Sequence, residues 1–202
     1  MEKRKLRLWV LLFTIAYIIL FSLYYITTNN YEFMWYIAIM VFIVSLMIEL
    51  NSKFEFSTGV LIGASIWGLM HMLGGSLIVG GKRLYSYMIY DFGIESFAGT
   101  PIFKFDQFAH FYCYIVVTLI LFYIFKKYVD LDEVSWLFLS VLLIFAGMGV
   151  GALNEIFEFI PVLIFKETGV GGYFNTMWDI VFNTLGAIVA VIWIRIMHKN
   201  DF

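Results

Sequence analysis

Six stretches of the chain are almost wholly apolar: 6–27, 33–50, 59–80, 108–128, 136–164 and 176–197. A bilayer's hydrocarbon core of about 30 Å needs roughly 20 helical residues at about 1.5 Å each, and each stretch is close to or beyond that length. The pattern predicts an all-α fold, a polytopic transmembrane helix bundle with six spans, as one integral membrane domain over 1–202. Lys3, Arg4 and Lys5 precede the first stretch as they would in a signal peptide. That stretch is too long and lacks a small-residue cleavage site, so a retained helix is expected. Pro101 and Pro161 are expected at or beyond the ends of apolar runs, where they interrupt no helix.

Composition agrees with a lipid solvent: 62% of the 202 residues are hydrophobic and 14% charged. A formal charge of -2 provides no diffuse basic surface, which excludes nucleic acid as an expected partner and leaves membrane lipid. Cys113 is the single cysteine, so neither an intrachain disulfide nor a thiolate metal cluster is possible. With the N-terminus inside, Lys3, Arg4, Lys5, Arg7, Lys53, Lys126, Lys127, Arg195 and Lys199 fall on the inner side, and Lys82, Arg83, Lys104 and Lys166 outside. This asymmetry predicts a multi-pass cell-membrane protein with both termini cytoplasmic.

Two outer connections stand out. Residues 81–107 carry Tyr85, Tyr87, Tyr90, Phe92, Phe97, Phe103 and Phe105, which suits either an aromatic belt at headgroup level or a lid over a site. Residues 165–175 carry Gly169, Gly171 and Gly172, which allow a tight turn or a close approach of backbone to a ligand.

Ionisable side chains inside a bilayer cost about 3 kcal/mol or more each, so each one needs a reason. The third span has His71; the fourth opens with Asp106 and His110; the fifth has Asn154, Glu155 and Glu158; the sixth has Asp179 and Asn183. Asp106 with His110, Glu155 with Glu158, and Asp179 with Asn183 are each three or four residues apart and share a helix face. At about 1.5 Å per residue all of these positions fall in the outer half of their spans. Four helices contributing to one layer predict a single convergent site. Packing hydrogen bonds for Asn154 and a helix-capping role for Asp106 are the plainer readings of those residues taken alone. The Gly147-x-x-x-Gly151 and Gly59-x-x-x-Gly63 pairs are expected at close helix contacts.

Four carboxylates together repel one another unless positive charge is supplied by shared protons, by imidazolium at His71 or His110, by Lys82 or Arg83 folding in, or by a metal ion. Three chemistries fit. His71, Asp106, His110, Glu155, Glu158 and Asp179 are a ligand set for one divalent ion, Zn, Mn or Fe, with Asn183 and Asn154 in support. Glu155, Glu158, His71 and Asp179 are candidates for catalytic acid and base work. The same groups could relay protons or bind a cation in a transporter.

The blocks Trp67-Gly68-Leu69-Met70-His71-Met72-Leu73-Gly74-Gly75, Phe105-Asp106-Gln107 with His110, Gly151-Ala152-Leu153-Asn154-Glu155-Ile156-Phe157-Glu158-Phe159 and Asn175-Thr176-Met177-Trp178-Asp179-Ile180-Val181-Phe182-Asn183-Thr184-Leu185-Gly186 closely resemble the YjdF-like inner-membrane proteins, a family of unknown function. More distantly, Asp106 with His110, Glu155, and Asp179 with Asn183 and Gly186 resemble VanZ-like proteins, associated with glycopeptide resistance. The chain departs from that second pattern in having Glu158 where Gln is usual and in lacking an Arg just before Asp179. The resemblance implies a shared architecture around these positions. Two functions are carried forward: action on a lipid or envelope-precursor headgroup, or a small proton- or cation-coupled transporter or ligand-binding protein.

Overall fold

The structure is a computed structural model and describes residues 2–90, 103–166 and 168–198. It is built on six helices: α1 (Glu2–Thr27), α2 (Tyr31–Phe54), α3 (Thr58–Ser76), α4 (Phe105–Phe125), α5 (Trp136–Ile164) and α6 (Tyr173–Met197). All six are long and apolar enough to cross a membrane. Side chains that take up otherwise unpaired amides mark three of the helix starts. Asn30 accepts from Phe33 N at 3.3 Å, Ser57 from Val60 N at 3.2 Å and Ser135 from Phe138 N at 3.3 Å.

The third helix stops at Ser76 rather than at 80. Gly80 and Gly81 adopt φ of 59° and 79°, turning the chain into a hairpin of β1 (Ile78–Val79) on β2 (Lys82–Arg83). Apolar residues 77–79 therefore serve a hairpin, which hydropathy alone does not distinguish from helix. A second ribbon pairs β3 (Met88–Tyr90) with β4 (Phe103–Lys104) and leads directly into α4. These ribbons are the only strands among the described residues.

Pro161 lies inside the last turn of α5, not beyond its end. It has no N–H to give the carbonyl four residues back, that of Phe157. Trp35 Nε1 of α2 donates to that carbonyl at 3.4 Å, so the proline's missing bond becomes a helix-to-helix contact.

Two apolar clusters divide the bundle. Tyr17, Tyr25, Phe33, Met40 and Met72 fill the space among α1, α2 and α3. Phe122, Leu139, Leu143, Val191 and Ile194 fill that among α4, α5 and α6. In lipid, close packing and interhelical hydrogen bonds must hold helices together, since the solvent is as apolar as leucine. Accordingly α1 is tied to α3 by Thr14 Oγ1 and Ser65 Oγ at 2.7 Å, by Tyr17 Oη donating to Ser65 O at 3.0 Å and by Tyr25 Oη donating to Met72 O at 2.5 Å.

Central to the second half is α4, which touches α3, α5 and α6 and packs most extensively on α6. Gly147 faces Thr118 and Ala187, and Gly151 faces Asn183 and Tyr114, as expected for close helix contacts. Gly63 meets Val116 of α4, whereas Gly59 meets only Ser57 just before its own helix. The outward faces present Trp9, Leu20, Phe42, Leu137, Leu163 and Ile196, each more than 60% exposed, as a lipid-facing surface requires.

Candidate functional site

One end of the bundle gathers the close of α1, α3 and α5, the start of α2, α4 and α6, and both ribbons. At about 1.5 Å per residue, every polar position singled out from the sequence lies within about 15 Å of that end. They occupy the seam between the two apolar clusters. Between this end and the charged opposite end the helices are uncharged: residues 9–31, 33–48, 58–70, 111–125, 136–153 and 180–194 contain no Asp, Glu, Lys, Arg or His.

His110 is the centre of the site. Its Nδ1 is 3.0 Å from Asn183 Oδ1, which can only accept, so Nδ1 carries a proton and donates it. Nε2 then faces two carboxylates, Asp106 Oδ1 and Glu158 Oε1, each at 3.7 Å. Glu155 Oε1 lies 3.8 Å from Nδ1. These separations are too long for hydrogen bonds and well within electrostatic reach. The ring brings together two sets of ligand atoms, one from Asp106, His110 and Asp179 and one from His110, Glu155 and Glu158, each set lying within 4.8 Å. Asn154 Nδ2 donates to Glu158 Oε1 at 2.8 Å from one turn earlier on α5 and so fixes its orientation. Glu155 Oε1 and Asn183 Nδ2 are buried with no hydrogen-bond partner among the described residues.

Asp179, fully buried, is held differently. Gln107 Nε2 donates to its Oδ1 at 2.7 Å and Asn175 Nδ2 to its Oδ2 at 2.7 Å. Asn175 Nδ2 also reaches Asp106 Oδ2 at 3.0 Å, and its Oδ1 accepts from Lys104 Nζ. Lys104 Nζ is itself 3.8 Å from Asp106 Oδ2 with its side chain mostly buried, so it brings a positive charge to the cluster. Gln107 does double duty, because its Oε1 accepts from Lys104 N at 3.0 Å and secures the first turn of α4.

His71 stands apart from the two ligand sets. Its ring lies among Phe33, Tyr36, Trp67 and Tyr85, and its Nδ1 pairs with Tyr85 Oη at 2.5 Å. Burial pushes the Tyr85 phenol well above its usual range, so it remains a hydroxyl paired with the His71 ring. The structure nonetheless brings His71 to the site by another route. A cavity of about 50 Å³ runs from Glu32, Arg83 and Gly169 to His71, Asp106 and Glu158. A second, of about 20 Å³, is lined by His71, Tyr85, His110, Asn154 and Glu158 among others. His71, Tyr85 and Glu158 line both.

The aromatic connection divides accordingly. Tyr85 turns inward against Gly74 and Phe103 stacks on Phe182 with centroids 5.4 Å apart, while Tyr87 and Tyr90 are exposed. Phe92 and Phe97 lie outside the described residues. In the second loop, Gly171 supplies a turn with φ of 81°, and Gly169 N donates to Glu32 Oε1 at 2.9 Å.

Five contributors were not among the site residues expected from the sequence: Asn175, Gln107, Lys104, Tyr85 and Glu32. Asn175 carried a usable signal, since Asn175, Asp179 and Asn183 recur every fourth residue on one face of α6. Glu32 carried none, because its partners Arg83 and Gly169 are 51 and 137 residues away.

No curated protein and no solved structure matches the chain. The family described as predicted membrane protein (DUF2238) matches residues 8–200, nearly the whole chain. The protein is thus a six-helix member of the DUF2238 family of predicted membrane proteins.

Proposed function

We propose that the protein holds one divalent transition ion, Zn, Mn or Fe, between His110 and the α5 carboxylates Glu155 and Glu158, and uses it to hydrolyse a bond in a lipid or envelope-precursor headgroup at one membrane surface. The observation that supports this reading is the direction of the His110 ring. With Nδ1–H committed to Asn183 Oδ1, a bare Nε2 lone pair would point toward two carboxylates 3.7 Å away, so Nε2 needs a proton or a cation. Charge favours the cation. With all four carboxylates ionised, Asp106, Glu155, Glu158 and Asp179 against Lys104 would leave three unbalanced negative charges. Imidazolium reduces the deficit to two and a divalent ion to one. Glu155 Oε1, buried and unpaired, has lone pairs free for coordination. A mixed nitrogen and oxygen donor set suits Zn, Mn or Fe better than Mg or Ca.

An ion here would polarise the scissile bond and acidify water. Glu158, oriented by Asn154 and lining both cavities, is placed to accept the proton from water and return it to the departing oxygen. Asp179 and Asp106, fixed by Gln107 and Asn175, hold the surrounding negative field, and His71 with Tyr85 forms the opposite wall. The surplus of Lys and Arg at the other end supports an outward-facing site.

A second reading, a cation- or proton-coupled transporter, is favoured by cavity size. About 50 Å³ accommodates an ion with a few waters and no headgroup without movement of the surrounding loops. The uncharged stretch of the helices between the two ends weighs against a route through it. Proteoliposomes made with total membrane lipid separate the two. The proposal expects a released headgroup product that requires added Zn, Mn or Fe and is lost in Glu158→Gln. Cation or proton uptake without any product would establish the transport reading instead.

A further inference from the structure

At the mouth of the larger cavity, Arg83 Nη1 is 3.0 Å from Glu32 Oε2, and the same carboxylate's Oε1 accepts from Gly169 N at 2.9 Å. This one glutamate joins the start of α2, the first ribbon and the α5–α6 loop. Its two bound groups differ in accessibility, for the Glu32 side chain is 8% exposed and that of Arg83 40%. The guanidinium also lies 5.6 Å from the centre of the Phe33 ring, and its side chain stays part-exposed beside the cavity. Deeper in, the cavity turns acidic at Asp106 and Glu158.

We infer that Arg83 is a phosphate-recognition residue and that the substrate at this site is a lipid carrying a phosphomonoester, with Glu32 acting as the internal stand-in for the phosphate. This deepens the proposed metal-dependent reading and rests on it for the reaction, though not for the binding subsite itself. A guanidinium presents two parallel N–H bonds that match carboxylate and phosphate oxygens alike, so a phosphate entering beside Arg83 can compete with Glu32 for the guanidinium. Glu32 is not stranded by the exchange, since it keeps the Gly169 amide. A neutral headgroup offers Arg83 no anionic acceptor and would leave the Arg83–Glu32 pair in place. Arg83, Asp106 and Glu158 line the same cavity, so a phosphate held by Arg83 would share it with Glu158. The acidic interior repels an anion until an ion is bound, so metal loading and phosphate binding should strengthen each other.

The test uses full-length protein in detergent with Mn added, and three probes: short-chain phosphatidic acid, inorganic phosphate and short-chain diacylglycerol. Binding is measured by calorimetry on the parent and on Arg83→Gln, Arg83→Lys and Glu32→Gln. Phosphatidic acid is expected to bind, diacylglycerol not, and inorganic phosphate at least tenfold more weakly because it lacks the acyl chains. Arg83→Gln should weaken phosphatidic acid at least tenfold and Arg83→Lys by an intermediate factor, both with metal content equal to the parent. Glu32→Gln should tighten it severalfold, an outcome that misfolding cannot produce. Equal binding of phosphatidic acid and diacylglycerol, unchanged binding in Arg83→Gln, or weaker binding in Glu32→Gln would overturn the assignment. Inorganic phosphate binding as tightly as the lipid would keep Arg83 as the anion site and overturn the lipid assignment. Arg83-dependent lipid binding in a protein that takes up no metal would uphold the subsite and remove the metal reading, whereas a metal-loaded parent that binds no phosphate would do the reverse.

Discussion

Gly186 of α6 lies directly against the main-chain carbonyl of Phe111 in α4, where a β-carbon would collide with that oxygen. The contact sets the separation of the two helices that carry His110 and Asn183, so the ring's hydrogen bond depends on a residue with no side chain. Gly186→Ala is expected to destabilise by about 1–3 kcal/mol through forced backbone displacement. Gly149, whose added β-carbon would meet nothing within 4 Å, provides the comparison. Gly149→Ala should be neutral or slightly stabilising in denaturant unfolding in mild detergent; equal losses at both positions would contradict the close-contact account.

Trp35 and Pro161 form a second testable pair. Trp35→Phe should cost about 0.5–1.5 kcal/mol by removing the donor to Phe157 O. In a Pro161→Ala background the helix's own amide can take that carbonyl, so the same change should cost less. A double-mutant cycle measures the difference, and an identical Trp35→Phe penalty in both backgrounds would show the two residues to be independent.

Tyr85→Phe leaves His71 Nδ1 without its hydrogen-bond partner inside an aromatic enclosure, at an expected cost of about 1–3 kcal/mol. Tyr87→Phe, at an exposed ring two residues on, should be silent. Comparable unfolding midpoints for both variants would argue that the His71–Tyr85 bond contributes nothing.

The six helices were legible because a bilayer demands long apolar runs whatever the packing inside, and α5 was read at its observed ends, 136 and 164. The end of α3 was not, because Leu77, Ile78 and Val79 are as apolar as the helix before them and only the paired positive-φ glycines divert the chain. Within the site, the carboxylates and His110 were visible as costly residues at one depth. What decides their roles was less visible: the amides of Asn175 and Gln107 cost little in a sequence, yet they fix Asp179. His71 shows the opposite limit, since depth placed it beside His110 while only the fold shows Tyr85 occupying its Nδ1.

Orientation is checked by labelling in intact cells, in a background with Cys113 replaced. Gly172→Cys has open space around its new side chain and should react with a membrane-impermeant maleimide from outside. Asp132→Cys, in the loop between α4 and α5, should react only after permeabilisation. The reverse pattern would place the cluster on the cytoplasmic side and remove the envelope-facing reading.

The ion proposed at His110 is tested most directly by metal content. Protein purified without chelator, loaded with Zn, Mn or Fe and freed of excess, should retain about one equivalent by elemental analysis, and the Glu155→Gln, His110→Ala double variant should retain well below one. Parent protein far below one equivalent, or a variant that retains as much as the parent, would contradict the account and leave shared protons as the groups that neutralise the cluster.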